Sequence, residues 1–188
     1  MRVTGGEYAG RRLSLPKGPR IRPTQDQVRQ ALFNLLGSQI KGARVLDLFA
    51  GTGALGIEAL SRGAAHVTFV ERSGFCMRAI EANLKNLLGQ TSWGSYTLLK
   101  ADVLSAIPKL AAKGKLFDLV LLDPPYGPDS ARKALSALCG CAIVSRSGWV
   151  VVEQDKRDPL LPEVEGSAGR LVSQRIETYG DTALVFYT

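Results

Sequence analysis

The chain has 188 residues, of which 45% are apolar and 22% are charged. A chain of this length and composition forms a compact domain with a buried core and is neither disordered nor collagen-like. Its longest apolar runs, such as Leu119–Leu122 and Trp149–Val152, are far shorter than the roughly 20 residues of a membrane helix. The N-terminus lacks the apolar block of a secretory signal, so we expect a cytoplasmic protein with no membrane partner.

The chain offers little material for metal or thiol chemistry. Its three cysteines, Cys76, Cys139 and Cys141, are too few for a disulfide framework, and the Cys139-Gly-Cys141 spacing is tighter than that of common zinc sites. His66 is the only histidine, which argues against a His-based metal centre or a Ser-His-Asp triad. We therefore predict no metal and interpret the cysteines as small apolar side chains.

The formal charge of +7 is concentrated at the start of the chain. Residues 1–44 hold nine Lys and Arg residues against two acids, whereas residues 45–188 are neutral overall. A neutral body with an Arg-rich head predicts a polyanionic partner, because the arginine guanidinium matches phosphate geometry. The alternative is a solvated basic face without a partner.

After residue 43, short β-branched runs alternate with helical stretches, a pattern typical of a parallel sheet with crossover helices. Helices are expected between the strands, and the one near 103–112 contains Pro108, which should shorten or kink it. Two segments around Gly180-Asp181 predict a closing hairpin, so the fold class is α/β with a seven-stranded, mostly parallel sheet. The predicted elements are strands at 44–49, 66–71, 95–100, 117–122 and 148–153, helices at about 53–62, 74–88 and 103–112, and hairpin strands at about 170–179 and 182–188.

We predict two parts in the chain, a basic extension at 1–43 and a core domain at 44–188. The extension begins with a small glycine-turned hairpin over residues 1–13, which exposes Arg11 and Arg12. These two arginines are therefore candidates for contacts with phosphate.

A helix is predicted in the second half of the extension. Thr24 and Gln27 form a capping box, the following apolar residues make one stripe, and Gly37 ends the helix. The stripe must dock on the core. Arg29 points elsewhere, so we expect it to stay available to a partner.

A glycine-rich loop follows the first predicted strand. Gly51, Gly53 and Gly56 match the pattern Gly-x-Gly-x-x-Gly between a strand and a helix, where a ligand can approach the backbone closely. The motif alone is weak, and a purely structural tight turn is the alternative.

Three acids at successive strand ends narrow the ligand of this loop. Asp47 would repel a pyrophosphate but can pair with a cationic amino group, and Glu71 can accept both hydroxyls of a ribose. Asp102 follows the third strand and can accept a hydrogen bond from an adenine amine, although an acid at that position also caps helices. An adenosyl ligand with an amino acid end and no phosphate satisfies all three, which points to S-adenosylmethionine.

The sharpest motif is Asp123-Pro124-Pro125-Tyr126, directly after a buried strand. Two prolines stiffen the loop and keep the carbonyls of Asp123 and Pro124 out of helical pairing, so that they can face a ligand. The amine of a nucleobase is a poor nucleophile because its lone pair is delocalised into the ring. Acceptance of its two N–H bonds by Asp123 and Pro124 favours a pyramidal nitrogen, and Tyr126 can stack on the base.

These residues resemble a known family. Asp47-x-Phe-x-Gly-x-Gly53 together with Asp123-Pro-Pro-Tyr126 is similar to the class I, Rossmann-like S-adenosylmethionine-dependent amino-methyltransferases. Gly10-Arg-Arg-Leu13 and the segment from Arg22 to Asn34 further resemble the N-terminal signature of the bacterial 16S rRNA guanine-N(2) methyltransferases, the small-subunit rRNA methyltransferase D family. The similarity spans essentially the whole chain.

The resemblance implies methylation of one guanine amine in 16S rRNA or the small ribosomal subunit. It implies a catalytic loop of Asp123, Pro124, Pro125 and Tyr126. It also implies that the cofactor S-adenosylmethionine is bound by three segments, with the residues Asp47, Phe49, Gly51, Thr52, Gly53, Glu71, Arg72, Asp102 and Val103.

The amine of a paired guanine is blocked, so the base must be unpaired or flipped while the basic head grips the flanking phosphates. The candidates for those contacts are Arg11, Arg12, Arg22 and Arg29, although Arg22 or Arg29 could instead pair with core acids. Two other functions stay open, an adenine amino-methyltransferase of DNA and a non-catalytic RNA-binding assembly protein. The oligomeric state is open, with a monomer as the expectation.

Overall fold

The computed structural model describes residues 1–14, 26–88, 95–125, 128–159 and 161–188. Arg22, Thr24 and Tyr126 lie outside these ranges, so the predictions made for them have no structural counterpart here. None of the helices within the ranges combines the length and apolar composition needed to cross a bilayer.

Within the described residues, eight strands form one sheet with the order β3-β2-β1-β4-β5-β8-β7-β6. The first five are parallel to their neighbours, and β8 and β7 close the sheet in antiparallel fashion as the predicted hairpin. The strands are β1 (Arg44–Leu48), β2 (His66–Glu71), β3 (Tyr96–Lys100), β4 (Phe117–Leu122), β5 (Val144–Asp155), β6 (Glu163–Gly166), β7 (Gly169–Tyr179) and β8 (Thr182–Tyr187).

The predicted number of seven strands is wrong, because β6 adds an eighth at the edge. Its four residues, Glu163–Gly166, contain a single large apolar residue, Val164, so they lack the alternation that identifies a strand in the sequence. The strand forms because Val164 pairs with Leu171 of β7 and both side chains are buried.

Helices cover both faces of the sheet. One hydrophobic cluster packs α1, α2 and α3 on one face, and a second packs α4 and α5 on the other. The helices are α1 (Asp26–Leu36), which continues into a short 3-10 turn (Gly37–Ile40), α2 (Ala54–Ser61), α3 (Gly74–Leu88), α4 (Val103–Ala112) and α5 (Pro128–Cys139).

Of the two effects predicted for Pro108, shortening of the helix does not occur, because α4 spans Val103–Ala112; the predicted kink stays a prediction. Pro108 cannot donate to the carbonyl one turn earlier, that of Leu104. Both residues are exposed, so water can satisfy that carbonyl and the helix continues.

Residues 1–14 form the predicted hairpin-like turn. The backbone N–H of Val3 donates to Arg11 O (2.9 Å) and that of Gly10 donates to Val3 O (2.9 Å). Val3 and Leu13 are buried in the same cluster as the first three helices, so this N-terminal segment is part of the packed molecule. The division of the chain into 1–43 and 44–188 stays a prediction.

The prediction that Arg29 stays available at the surface is wrong. Its side chain is 0% exposed, and it pairs with Glu58 (Nε to Oε2, 3.3 Å) and with Asp26 (Nη2 to Oδ1, 2.9 Å). Nη2 also donates to the backbone carbonyl of Arg2. Arg29 therefore holds the extension against α2, which is the alternative that the sequence left open.

Glu58 is the acceptor at the centre of this arrangement. It is fully buried in α2 and accepts hydrogen bonds from the backbone N–H of Thr4 (2.8 Å), the Thr4 hydroxyl (2.7 Å) and Arg62 Nε (2.8 Å), besides the bond from Arg29. These donors replace the hydrogen bonds to water that the Glu58 side chain loses on burial.

Replacement of Glu58 tests how much its side chain contributes to the stability of the fold. We expect Glu58→Ala to lower the free energy of unfolding by about 3–5 kcal/mol, because buried Arg29 would lose its fully buried acidic partner and keep only the partly exposed Asp26. Urea denaturation measures the change. The control is Glu81→Ala, which removes an exposed pair with Lys85 and should cost under about 1 kcal/mol. Equal costs for the two variants would contradict a structural role for Glu58.

Candidate active site

The acids singled out in the sequence meet at the carboxyl edge of the parallel strands. Asp47 in β1 is paired with Phe69 of β2 on one side and Leu121 of β4 on the other. Glu71 ends β2, and Asp123 follows β4, each two residues beyond the partner of Asp47. Two residues along a strand return to the same face of the sheet, so all three acids lie on one face.

The glycine loop connects β1 to α2 with backbone conformations that favour glycine. Gly51 and Gly53 have φ of 55° and 78°, and Phe49, which carries a side chain, also has a positive φ of 62°. Such a conformation is uncommon outside glycine and is concentrated at functional sites. A side chain at Gly56 would collide with Phe69, whose ring atom Cε1 would lie 2.3 Å from the new Cβ.

Every glycine amide of the motif is already engaged within the protein. Gly51 N–H donates to Glu71 Oε2 (2.9 Å), Gly53 N–H to the carbonyl of Ala50 (2.7 Å) and Gly56 N–H to Asp47 Oδ2 (2.9 Å). A pyrophosphate would need these donors and would face the carboxylates that occupy them. The loop is therefore built for a ligand without phosphate.

Asp47 is 1% exposed, and its surroundings raise its pKa from 3.8 to about 8. Burial is the main cause. The hydrogen bond from Gly56 lowers the pKa, whereas the negative charges of Asp123 and Glu71 raise it further. A cationic group beside these acids would favour the ionised form of Asp47. The site thus suits a ligand that brings positive charge.

Glu71 is held in a fixed orientation by two backbone donors. Gly51 N–H binds its Oε2, and Ser73 N–H binds its Oε1 at 2.7 Å. Each carboxylate oxygen keeps a second lone pair, so the group can still accept hydrogen bonds from two ribose hydroxyls. Glu71 can therefore hold the backbone of the glycine loop and accept hydrogen bonds from a ribose at the same time.

The remaining residues predicted to bind the cofactor flank these acids. Thr52 is a buried residue of the glycine loop, Arg72 is exposed beyond β2, and Val103 is buried at the start of α4. Asp102 caps α4, because its side chain accepts the backbone N–H of Leu104 at 2.9 Å. One of its two oxygens carries out the capping, so the predicted contact with adenine stays a prediction.

S-adenosylmethionine fits this arrangement by the chemistry of its groups. Its ammonium and sulfonium groups are cationic, as the carboxylates of Asp47 and Asp123 require. Its ribose offers two hydroxyls to Glu71, and it contains no phosphate that would compete for the engaged glycine amides. Nowhere in the described ranges do three or more His, Cys, Asp or Glu side chains come together as metal ligands would.

The loop after β4 lies beside the glycine loop. Asp123 and Pro124 are half-buried and Pro125 is exposed. The negative charge of Asp123 raises the pKa of Asp47, which lies on the neighbouring strand. The fourth residue of the motif, Tyr126, lies outside the described residues. The two loops that the sequence singled out therefore meet at one site.

Two of the four predicted RNA contacts are on the surface. Arg11 and Arg12 are exposed, and no acid among the described residues forms an ion pair with either. Arg29 is buried, and Arg22 lies outside the described residues. The free positive charge of the N-terminal segment is thus concentrated in the Arg11-Arg12 pair.

Sequence reasoning missed three polar residues around the site. Glu58 anchors the N-terminal segment, Asn83 bonds to both that segment and the glycine loop, and Glu153 lies beside Asp123 because Val152 pairs with Leu122. Glu153 repeats a signal already seen at Glu71 and Asp123, an acid directly after a run of apolar residues. Glu58 and Asn83 sit on helices with no local signal, since their partners are distant in the chain.

The fold and the site together define a class I methyltransferase. The α/β sheet with its antiparallel closing strands matches a solved structure of a hypothetical protein of Thermus thermophilus, with a TM-score of 0.80, 26% identity, and coverage of 99% of this chain and 98% of that one. The architecture is shared along nearly the full length of both proteins.

The chain belongs to the family described as Conserved hypothetical protein 95, which matches residues 1–188. It is 37% identical over 153 residues to ribosomal RNA small subunit methyltransferase D of Escherichia coli K12, covering 81% of this chain and 71% of that protein. The protein of the same name from Haemophilus influenzae is 35% identical over 161 residues, covering 86% and 82%.

The pKa of Asp47 predicts a particular pH dependence of stability. Because the folded pKa of about 8 lies above the ordinary value of 3.8, the folded state binds the proton more tightly. Its contribution to stability is complete below the ordinary pKa and is lost as the pH rises through the folded one. We expect the free energy of unfolding of the ligand-free protein to fall between pH 5 and 8 relative to Asp47→Asn. Urea denaturation at both pH values measures this, and parallel pH profiles would contradict it.

Proposed function

We propose that this protein transfers a methyl group from S-adenosylmethionine to the exocyclic amine N2 of a guanine in 16S rRNA. That it is an S-adenosylmethionine-dependent rRNA methyltransferase follows from its family and from relatives named ribosomal RNA small subunit methyltransferase D. The choice of guanine N2 and the roles of individual residues are the proposal. We place its work in the cytoplasm, where ribosomal subunits are assembled.

One observation supports the proposal above the others. The Asp123-Pro124 loop lies beside a glycine loop in which the amides of Gly51 and Gly56 donate to carboxylates, so an acceptor for an amine lies next to acids that suit a cation. A dinucleotide enzyme would need the reverse, free amides and few acids. An amino-methyltransferase needs this arrangement.

When bound, S-adenosylmethionine supplies an electrophilic methyl group on a sulfonium. Asp47 pairs with its amino acid end, Glu71 accepts its ribose hydroxyls, and Asp102 and Val103 border its adenine. Gly51 and Gly53 let the backbone of the loop approach it closely. The protein's part at this end of the site is to orient the ligand and to keep water away.

The residues of the Asp123 loop act on the amine of the base. The Asp123 carboxylate and the Pro124 carbonyl accept its two N–H bonds, which favours a pyramidal nitrogen with its lone pair directed at the methyl group. After transfer the amine is acidic enough to release its proton to Asp123 or to water, so no histidine is needed. Tyr126 completes the motif and is proposed to stack on the base.

The RNA must present the guanine outside a base pair. The amine of a paired guanine is shielded in the shallow groove, so the base has to be single-stranded or flipped into the site. Arg11 and Arg12 provide exposed guanidinium groups for the flanking phosphates, and Arg22 is proposed to join them. These contacts position the RNA rather than read its sequence.

Loss of the Asp123 carboxylate should abolish transfer without abolishing binding. We expect Asp123→Ala to reduce methylation at least about 100-fold, because the acceptor of the amine protons is gone. The assay uses labelled S-adenosylmethionine with 16S rRNA or small subunits from cells that lack the protein. Calorimetry with S-adenosylhomocysteine and RNA binding should stay near wild type. Glu163→Gln, which breaks an exposed pair with Arg170, is the control and should methylate normally.

Nucleoside mass mapping of 16S rRNA tests the assignment in cells. One N2-methylguanosine should be missing from cells without the protein and restored by wild type but not by Asp123→Ala. Two other outcomes would overturn the assignment. Restoration of ribosome assembly by Asp123→Ala would favour a non-catalytic RNA-binding protein. Label incorporated only into duplex DNA would favour an adenine methyltransferase of DNA.

The exposed arginine pair predicts a salt dependence of RNA binding. We expect the double variant Arg11→Gln, Arg12→Gln to bind RNA more weakly, with the slope of log K against log salt reduced by roughly 0.7 for each phosphate that is no longer neutralised. The control removes the same amount of charge by replacing Lys113 and Lys115 with Gln. These two lysines are exposed and precede β4, so they lie at the amino end of that strand, whereas the site lies at the carboxyl ends of the strands. An unchanged slope in the arginine variant would assign these residues to structure.

A further inference from the structure

Asn83 is a buried amide on α3 that no step of the proposed reaction uses. It is 1% exposed, and it pairs with the backbone of Ser14 at two points. The Ser14 N–H donates to Asn83 Oδ1 at 2.7 Å, and Asn83 Nδ2 donates to the Ser14 carbonyl at 3.2 Å. The side chain thus binds the end of the N-terminal segment as a neighbouring strand would.

The same side chain contacts the glycine loop. Asn83 Nδ2 also donates to the carbonyl of Thr52 at 3.4 Å, and Thr52 lies between Gly51 and Gly53. Nδ2 therefore uses both of its hydrogens, one on each side. A single amide joins the loop proposed to hold the cofactor to the segment that carries Arg11 and Arg12.

Two contacts that attach the N-terminal segment, those of Glu58 and Asn83, differ in whether they reach the glycine loop. Glu58 holds Thr4 from the middle of α2, beyond the glycine loop, and none of its described hydrogen bonds reaches Thr52. Asn83 holds Ser14 and the loop at once. Of these two contacts, the one at Asn83 is hydrogen-bonded directly to the loop.

We propose that Asn83 is a positioning residue that couples cofactor binding to the N-terminal segment. Asn83 contacts neither S-adenosylmethionine nor RNA in the proposed function. A cofactor that fixes the loop fixes the Thr52 carbonyl, which restrains Asn83 and strengthens its hold on Ser14. Because coupling is reciprocal, RNA bound to Arg11 and Arg12 strengthens cofactor binding by the same factor. The inference rests on the proposed function, in that the glycine loop is taken to bind S-adenosylmethionine.

Hydrogen exchange of the full chain tests the coupling without a methylation assay. S-adenosylhomocysteine serves as the probe, and calorimetry establishes saturation. In the wild type we expect the probe to slow exchange of the Ser14 and Leu13 amides by about 5-fold or more, since couplings of this kind span roughly 5- to 150-fold. The probe itself need not contact these amides, so the slowing reports transmission through the protein.

Two variants separate coupling from simple attachment. Asn83→Ala should still bind the probe, but binding should no longer slow exchange at Leu13, whose N–H donates to the Met1 carbonyl and not to Asn83. Thr4→Val removes a hydroxyl bond to Glu58 at the other attachment and leaves Asn83 intact. It should raise exchange in the segment overall while the slowing by the probe persists. A merely structural role of Asn83 would leave the probe-dependent slowing in place.

The outcomes distinguish this inference from the function on which it rests. If the wild type fails to bind S-adenosylhomocysteine, the proposed function falls and the coupling falls with it. If the wild type binds it and the Ser14 amide does not respond, the coupling alone is wrong. If Asn83→Ala does not fold, Ser14→Pro removes the donated N–H instead, and slowing at Leu13 in that variant equal to wild type would likewise overturn the proposal.

Discussion

The site depends on keeping a carboxylate out of water at the end of β1. Asp47 stands in a strand whose other inner residues are apolar, and it is accepted there because Gly56 donates to it. The cost of this burial appears as the high pKa of Asp47, which the nearby charges of Asp123 and Glu71 increase. A ligand that brings positive charge relieves that cost, so the site is most complete when its cofactor is bound.

The same acids set the shape of the glycine loop. Glu71 accepts a hydrogen bond from the amide of Gly51 and Asp47 one from the amide of Gly56, so the two acids hold the backbone of the loop. The glycines are required at these points by positive φ at Gly51 and Gly53 and by the contact of Gly56 with Phe69. The loop geometry thus depends on the same acids that meet at the site.

The basic extension is attached to the core by buried polar contacts rather than by apolar packing alone. Glu58 gathers Thr4, Arg29 and Arg62 at one end of the segment, and Asn83 holds Ser14 at the other. Two arginines of the extension therefore have different surroundings. Arg29 serves the fold as a buried counter-ion, while Arg11 is exposed on the surface.

Local pattern was sufficient for the parallel strands, the helix α3 and the closing hairpin, because each has the periodicity or the turn residues of its type. Local pattern also predicted that the glycine loop and the Asp123 loop lie close together. Both follow apolar strands, and the carboxyl ends of neighbouring parallel strands lie side by side. Only tertiary structure decided the rest. Val164 made an eighth strand through its cross-strand partner, and Arg29 was buried because Glu58, 29 residues away, supplies its counter-charge. These outcomes depend on contacts between distant parts of the chain, which no local window of sequence contains.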